Sequence, residues 1–173
     1  MSKSHILIFR GIHFADLAAE FQIFVREQPR QVYSDIPKRF ESVDQWPEMT
    51  NLRCWECDQL PDSYPRFIPI NLKDNSCDVY GNFCSWNCAV AYANKCFPAE
   101  NRWDIMQAIC IVESKFSGVR RAKIPPSPPK TLMKAYCGNE GISLREWREL
   151  VAKVDQEQSI YVGEYNNDLR NIN

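Results

Sequence analysis

The chain has 173 residues, and its 45% hydrophobic and 12% aromatic content is enough to bury a core, which excludes wholesale disorder. Its 21 basic and 22 acidic side chains give a net charge of −1, which excludes a globally basic nucleic-acid coat. The apolar runs are too short for a membrane-spanning helix or a signal peptide, so we expect a soluble, intracellular protein with no membrane association.

Residues 1–53 are predicted to form an N-terminal strand–helix segment. His5–Phe9 predict a short strand, and Phe14–Glu27 predict a helix whose apolar side chains recur at helical spacing. Pro29 ends this helix. Residues 28–53, which contain further prolines, are predicted to be irregular or to form short strands.

Residues 54–97 contain two closely spaced cysteine pairs. Cys54 and Cys57 form a C-x2-C knuckle, and Cys84 and Cys88 form a C-x3-C pair at the start of a predicted helix. Two such pairs are the usual ligands of a structural zinc ion. Because four thiolates complete a tetrahedron, we expect one structural Zn²⁺ with no position left for catalysis.

The same segment predicts the secondary structure that would bring the pairs together. Residues 66–72 and 77–83 are predicted strands around a turn at Asp74-Asn75, and residues 85–96 are a predicted helix with Ser85 near its N-cap. The fold class is therefore predicted as α+β: a small zinc-stabilised finger, treble-clef-like or zinc-ribbon-like, packed with several helices and short strands.

Other interpretations of the cysteines stay open at this point. Cys54 and Cys57 could instead form a redox C-x2-C motif, although the strand-to-helix junction that such a motif occupies is not evident. Cys77 lies close enough along the chain to replace one ligand. Cys96, Cys110 and Cys137 are more typical of buried apolar thiols, and neither His5 nor His13 has a ligand-like spacing.

Residues 98–160 are predicted to be a helical segment, followed by a polar tail over residues 161–173. A helix over residues 101–116 is expected to turn Trp103, Met106, Ile109, Cys110 and Val112 largely inward. The proline-rich stretch 123–130 predicts an extended strap. Ser143 and Glu146 form a capping box that opens a helix to about residue 156.

A basic window over residues 115–134 contains no acidic side chain. It is a candidate nucleic-acid or anion-binding surface, and the alternative is a solvated basic strap. Its six basic residues are Lys115, Arg120, Arg121, Lys123, Lys130 and Lys134. The chain has no catalytic metal, nucleophile, phosphate-loop or dinucleotide motif, so no catalytic residues are predicted and we do not expect an enzyme.

Two sequence blocks resemble a known family. The string FCSWNC at residues 83–88, with the knuckle upstream, resembles an FCS/MYM-type zinc finger. Downstream, PPSPPKTLMKAYCGNEGISLREWREL resembles the proline–glycine block of the viral late transcription factor 2 family of large cytoplasmic DNA viruses, such as poxviruses and asfarviruses. The glycine pair of that block is interrupted here, since Asn139 and Glu140 separate Gly138 from Gly141.

This resemblance implies a trans-activator of late viral genes. Its partners would be the viral RNA polymerase or other late transcription factors, in the viral factory of the host cytoplasm. Weak DNA contact as an accessory is expected from the basic window. The presumed zinc ligands carried over are Cys54, Cys57, Cys84 and Cys88. One alternative is a host-interaction protein of immune-evasion type that binds a host factor or a nucleotide or other phosphate-bearing ligand, and a second is an FCS-finger scaffold protein.

Overall fold

Three small β-sheets and four helices make up the described part of the chain, an α+β fold as predicted. The computed structural model describes residues 32–33 and 35–164. The strand predicted at residues 5–9, the helix predicted at residues 14–27 and both histidines lie outside the described residues. None of the described helices combines the length and hydropathy that a membrane-spanning helix needs.

The strands are short, and the longest two form a hairpin. In chain order they are β1 (Val32–Tyr33), β2 (Arg39–Phe40), β3 (Met49–Thr50), β4 (Arg66–Lys73), β5 (Ser76–Phe83), β6 (Val119–Lys123) and β7 (Ile160–Glu164). A three-stranded antiparallel sheet has the order β2-β5-β4, β6 pairs with β7 antiparallel, and β1 pairs with β3 parallel. Strand β4 therefore lies at an edge of its sheet.

The β4–β5 hairpin confirms the two predicted strands to within a residue at most ends. Asp74 in the turn has a φ of 50°, a left-handed conformation that Asp tolerates better than most residues because its side chain can bond the local backbone. Strand β7 extends regular structure to Glu164, four residues into the segment predicted as a polar tail.

Three of the four described helices follow the predicted boundaries closely, and the short helix over residues 134–137 was not predicted. The four helices are α1 (Trp86–Cys96), α2 (Ala99–Ser117), α3 (Lys134–Cys137) and α4 (Leu144–Gln158). The Ser85 side chain accepts a hydrogen bond from the Cys88 amide at the start of α1. The capping box of Ser143 and Glu146 is present at the start of α4.

One orientation predicted for α2 is wrong. Trp103 was expected to turn inward, but its side chain is 71% exposed. The buried face of α2 is centred on Ile105, Ile109 and Val112. At about 100° per residue, Trp103 lies roughly a third of a turn or more from each of these three residues, so its side chain points away from the buried face.

Aromatic rings fill the core between the three-stranded sheet and the helices. Trp46 lies 4.5 Å from Phe67 and 5.6 Å from Phe40, measured between ring centroids. Trp86 of α1 approaches Phe116 of α2 at 5.7 Å. The Trp46 indole N–H also donates to the Pro65 carbonyl at 2.8 Å, so this buried polar group is satisfied.

An ion-pair network joins α2, β6 and α4 beside this core. Arg121 of β6 is only 16% exposed, and it lies 3.4 Å from a carboxylate oxygen of Glu113 and 2.9 Å from one of Asp155. Asn87 of α1 donates to the Asp155 carboxylate at 2.9 Å and to the Pro125 carbonyl at 3.0 Å. The proline-rich strap is thereby held against α1.

Candidate metal centre

The first cysteine pair lies in a tight turn between β3 and β4. The Asp58 amide donates to the Cys54 carbonyl at 2.9 Å, and the Cys54 amide donates to the Gln59 carbonyl at 2.9 Å. Asp58 closes the turn with a φ of 58°. These bonds curl the chain so that Cys54 and Cys57 turn their side chains into the same buried space, where each is fully buried.

The second pair spans the junction between β5 and α1. Cys84 follows the last residue of the strand, and Cys88 lies in the first turn of the helix. Residues four apart at a helix start lie on one face, and the helix N-terminus carries partial positive charge that favours thiolates. The order of knuckle, hairpin and helix is the treble-clef-like layout that the sequence predicted.

The structure brings all four predicted ligands together. The sulfur atoms of Cys54, Cys57, Cys84 and Cys88 all lie within 4.8 Å of one another. The Cys57 and Cys84 sulfurs are 3.4 Å apart, and those of Cys84 and Cys88 are 3.6 Å apart. A zinc ion with sulfurs at about 2.3 Å has tetrahedral edges of about 3.8 Å, so the cluster could hold one metal ion and is compatible with zinc.

Crowding controls the charge of these thiols. Hydrogen bonds from the other three thiols lower the pKa of Cys54, so its sulfur takes the negative charge most readily. Hydrogen bonding to Cys54 and Cys57, followed by burial, raises the pKa of Cys84 and of Cys88, because their protonated thiols act as donors within the cluster. A divalent cation supplies the positive charge that lets all four thiols deprotonate together.

Two side chains outside the cluster hold its backbone in place, and the sequence alone did not single them out. The buried Asn82 donates from its amide to the carbonyls of Leu52 at 2.8 Å and Arg53 at 3.0 Å, just before the knuckle. Arg66 donates to the Cys84 carbonyl at 2.9 Å. A polar residue inside an otherwise apolar strand end, such as Asn82, is the pattern that could have indicated this role.

The proline–glycine block packs directly on the knuckle. The Tyr136 hydroxyl lies 2.9 Å from the Cys57 carbonyl oxygen and 3.1 Å from an Asp58 carboxylate oxygen, and its one proton is shared between these two acceptors. Lys130 reaches the same carboxylate at 2.6 Å. Further along, Arg148 of α4 donates to the Leu60 carbonyl at 2.9 Å. We call the contacts of Lys130 and Tyr136 with the knuckle the clamp.

The basic window is divided between internal and exposed side chains. Arg121 belongs to the ion-pair network, Lys130 to the clamp, and Lys115 donates to the Asn75 carbonyl at 3.0 Å. Arg120, Lys123 and Lys134 are exposed. The structure therefore leaves three of the six predicted residues facing solvent, and the other three have partners within the chain.

The remaining cysteines lie outside the cluster. Cys77 of β5 is 2% exposed in the aromatic core, where desolvation raises the pKa of its thiol to about 11. Among the described residues it is not grouped with the four predicted ligands. Cys110 is buried as predicted, but the prediction of a buried thiol is wrong for Cys96 and Cys137, which are exposed. The knuckle cysteines lie in a turn and not at a strand-to-helix junction, which is unlike the redox alternative.

Comparison with known proteins finds viral relatives. The chain is 27% identical over 113 residues to the uncharacterized protein B175L of African swine fever virus, in the isolates Pretoriuskop, Badajoz 1971 and Kenya 1950. The match covers 62% of this chain and 65% of each relative, just under two thirds of the relatives' length. This likeness supports an origin in a large DNA virus, and the relatives' name states no function.

No family model matches the chain, and no solved structure matches it.

Proposed function

We propose that the protein is a late-gene transcription factor of a large DNA virus, similar to viral late transcription factor 2. In this proposal its FCS-type finger holds one structural Zn²⁺ through Cys54, Cys57, Cys84 and Cys88 and assembles with the transcription machinery. The observation that carries the proposal is the clamp. The finger and the proline–glycine block, which together carry the resemblance, contact each other through Tyr136 and Lys130.

Zinc acts here as a folding element. Four sulfur ligands leave no coordination position for water or substrate, so the ion would contribute stability and shape. Three of the four side chains are fully buried, which protects the thiolates from solvent. The activity of such a finger depends on the surface that it presents.

The charge of the finger favours a protein partner. Residues 54–97 hold five acidic and three basic side chains. A zinc ion with four thiolates adds a charge of about −2, so the finger repels phosphate. In this proposal DNA contact is therefore accessory, and the exposed Arg120, Lys123 and Lys134 make it.

The test uses infected cells in which the protein can be depleted. Depletion should reduce late viral transcripts and leave early transcripts and genome copy number unchanged. A tagged wild-type copy should restore them and crosslink to viral RNA polymerase subunits or other late factors, whereas a Cys84→Ser copy should not. A Cys137→Ser copy, which changes an exposed cysteine outside the cluster, is the matched control.

The contrary outcomes are distinct. Normal late transcription after depletion overturns the proposal. Specific crosslinking to a host factor without any polymerase subunit favours the host-interaction alternative in its place.

A further inference from the structure

A solvent-open groove lies between strand β4 and helix α2, on a part of the molecule separate from the cysteine cluster. Its volume is about 460 Å³. The apolar lining residues are Pro69, Ile70, Leu72, Phe97, Ile105, Ala108 and Ile111, and the polar ones are Asn71, Asn101, Asp104 and Gln107. A mostly apolar lining with a few polar side chains is typical of a surface that binds another protein.

Helix α2 extends this groove with exposed apolar side chains. Ile111, one of the lining residues, is 44% exposed, and Trp103 is 71% exposed. Gln107 and Ile111 line the groove, and Trp103 lies one turn before Gln107 on the same helix face, next to the lining residue Asp104. An exposed tryptophan beside an apolar groove is the kind of residue that contributes most to protein binding.

The strand edge disfavours an extended peptide as the occupant. The Val79 amide of β5 donates to the Lys38 carbonyl at 2.8 Å, and so it points away from β4. Pro69 is paired with Val79, and its backbone nitrogen therefore points to the free edge of β4. Because proline has no N–H to donate, a further strand cannot pair continuously along this edge.

The charge of the groove lining indicates the chemistry of a binding partner. Asp104 is the charged residue among those that line the groove, and it is exposed. A Lys or Arg on the partner can pair with this carboxylate, and the neighbouring indole of Trp103 also attracts cations.

We infer that the β4–α2 groove docks an amphipathic helix of a partner protein, with apolar anchors at helical spacing and at least one Lys or Arg facing Asp104. This docking mode is helix-in-groove binding. It does not depend on the proposed transcription function, since the groove residues and the cysteine cluster are separate.

The test is a selection with the metal-loaded full-length protein and a phage-displayed library of short helical peptides. Selected peptides should carry apolar residues at helical spacing together with Lys or Arg. They should bind Ala108→Arg, which adds a bulky charged side chain to the groove lining, at least about tenfold more weakly than the wild type. Ala152→Arg, at an exposed alanine of α4, should bind them as the wild type does.

Two further variants sharpen the result. Asp104→Lys should shift the selection toward peptides with Asp or Glu. Ile111→Lys changes a residue that is already 44% exposed, and it keeps the test valid if Ala108→Arg does not fold. Circular dichroism checks the fold of each variant.

Three outcomes would overturn the inference. One is a selection with no enrichment, and another is a set of enriched peptides that bind Ala108→Arg and Ile111→Lys as tightly as the wild type. The third is a wild-type dimer in sedimentation equilibrium that both groove variants abolish, because it would identify a second copy of the chain as the occupant.

Discussion

The cysteine cluster and the basic window are both predicted sites, but the fold brings together all residues of the first and divides those of the second between internal and exposed positions. All four cysteines meet within 4.8 Å, whereas three of the six basic side chains are tied to partners inside the chain. The difference lies in the range of the interactions. Each cysteine pair needs only a local turn or helix start, and the β4–β5 hairpin between them brings the two pairs together. The partner of a long basic side chain depends instead on how more distant elements pack.

The largest expected effect concerns the cluster. Cys84→Ser should abolish stoichiometric metal binding and lower the free energy of unfolding by about 5 kcal/mol or more, because metal-binding free energy is coupled to folding. Inductively coupled plasma mass spectrometry and urea unfolding measure the two quantities. Cys137→Ser should retain metal and stability. A Cys84→Ser variant that keeps both would show that the cluster is not a metal site.

The second effect tests whether Arg121 is a structural residue of the basic window. Arg121→Ala should lower the free energy of unfolding by about 3–5 kcal/mol, because it leaves the buried Glu113 carboxylate and the half-buried Asp155 carboxylate without their cationic partner. Arg120→Ala, at the exposed neighbour, should change stability by less than about 0.5 kcal/mol. If both variants changed stability by equally small amounts, Arg121 would not be a structural residue, and the division of the basic window into internal and exposed side chains would be wrong.

The pH dependence of Arg121→Ala gives an independent check. Burial raises the pKa of Glu113, and the Coulomb interaction with Arg121 counteracts part of that rise. Without Arg121 the folded-state pKa rises further above the unfolded value, so folding favours the protonated form. The stability that the variant loses relative to the wild type should therefore be largest at neutral pH and should shrink as the pH falls through the folded-state pKa of Glu113. A deficit that grows on acidification contradicts this.

A third, smaller effect concerns the clamp. Tyr136→Phe removes the hydroxyl bonds to Cys57 and Asp58 and should cost about 1 kcal/mol. It should also speed metal loss to a chelator, because the Cys57 backbone is held less firmly. Tyr161→Phe, which removes an exposed hydroxyl from β7, is the control. If Tyr136→Phe released metal at the wild-type rate, the clamp would contribute to packing but not to metal retention.

The clamp should also respond to pH. Hydrogen bonding to Lys130 lowers the pKa of the Asp58 carboxyl. The contribution of the Lys130–Asp58 ion pair to stability is therefore present at neutral pH. It is lost as the pH falls below the usual carboxyl range and through the folded-state pKa of Asp58. The stability difference between wild type and Lys130→Met should shrink in that acidic range.

The smallest effect concerns DNA. Fluorescence anisotropy with duplex DNA should show weak, salt-dependent binding. The slope of log affinity against log salt concentration should fall by about one unit for each phosphate that a variant no longer neutralises. Arg120→Glu with Lys123→Glu should reduce the slope, whereas Lys115→Ala should not, since Lys115 faces Asn75. An unchanged slope in the double variant would remove DNA binding from these residues.

The sequence predicted the described secondary structure well where local rules apply. Proline and glycine positions, the caps at Ser85 and Ser143, and the turn at Asp74-Asn75 all act over a few residues. The error at Trp103 arose because a helical stripe can be shifted around the helix, and only packing against the neighbouring elements identifies the buried face.

By itself, the sequence determined the four cysteines that could share a metal ion, the hairpin and helix that carry them, and the acidic character of the finger. Only the tertiary structure decided that the proline–glycine block clamps the knuckle, that Arg121 serves an internal network, and that β4 and α2 enclose a groove. These features join residues that are tens of positions apart. Their pairing depends on how the elements pack, which local spacing does not encode.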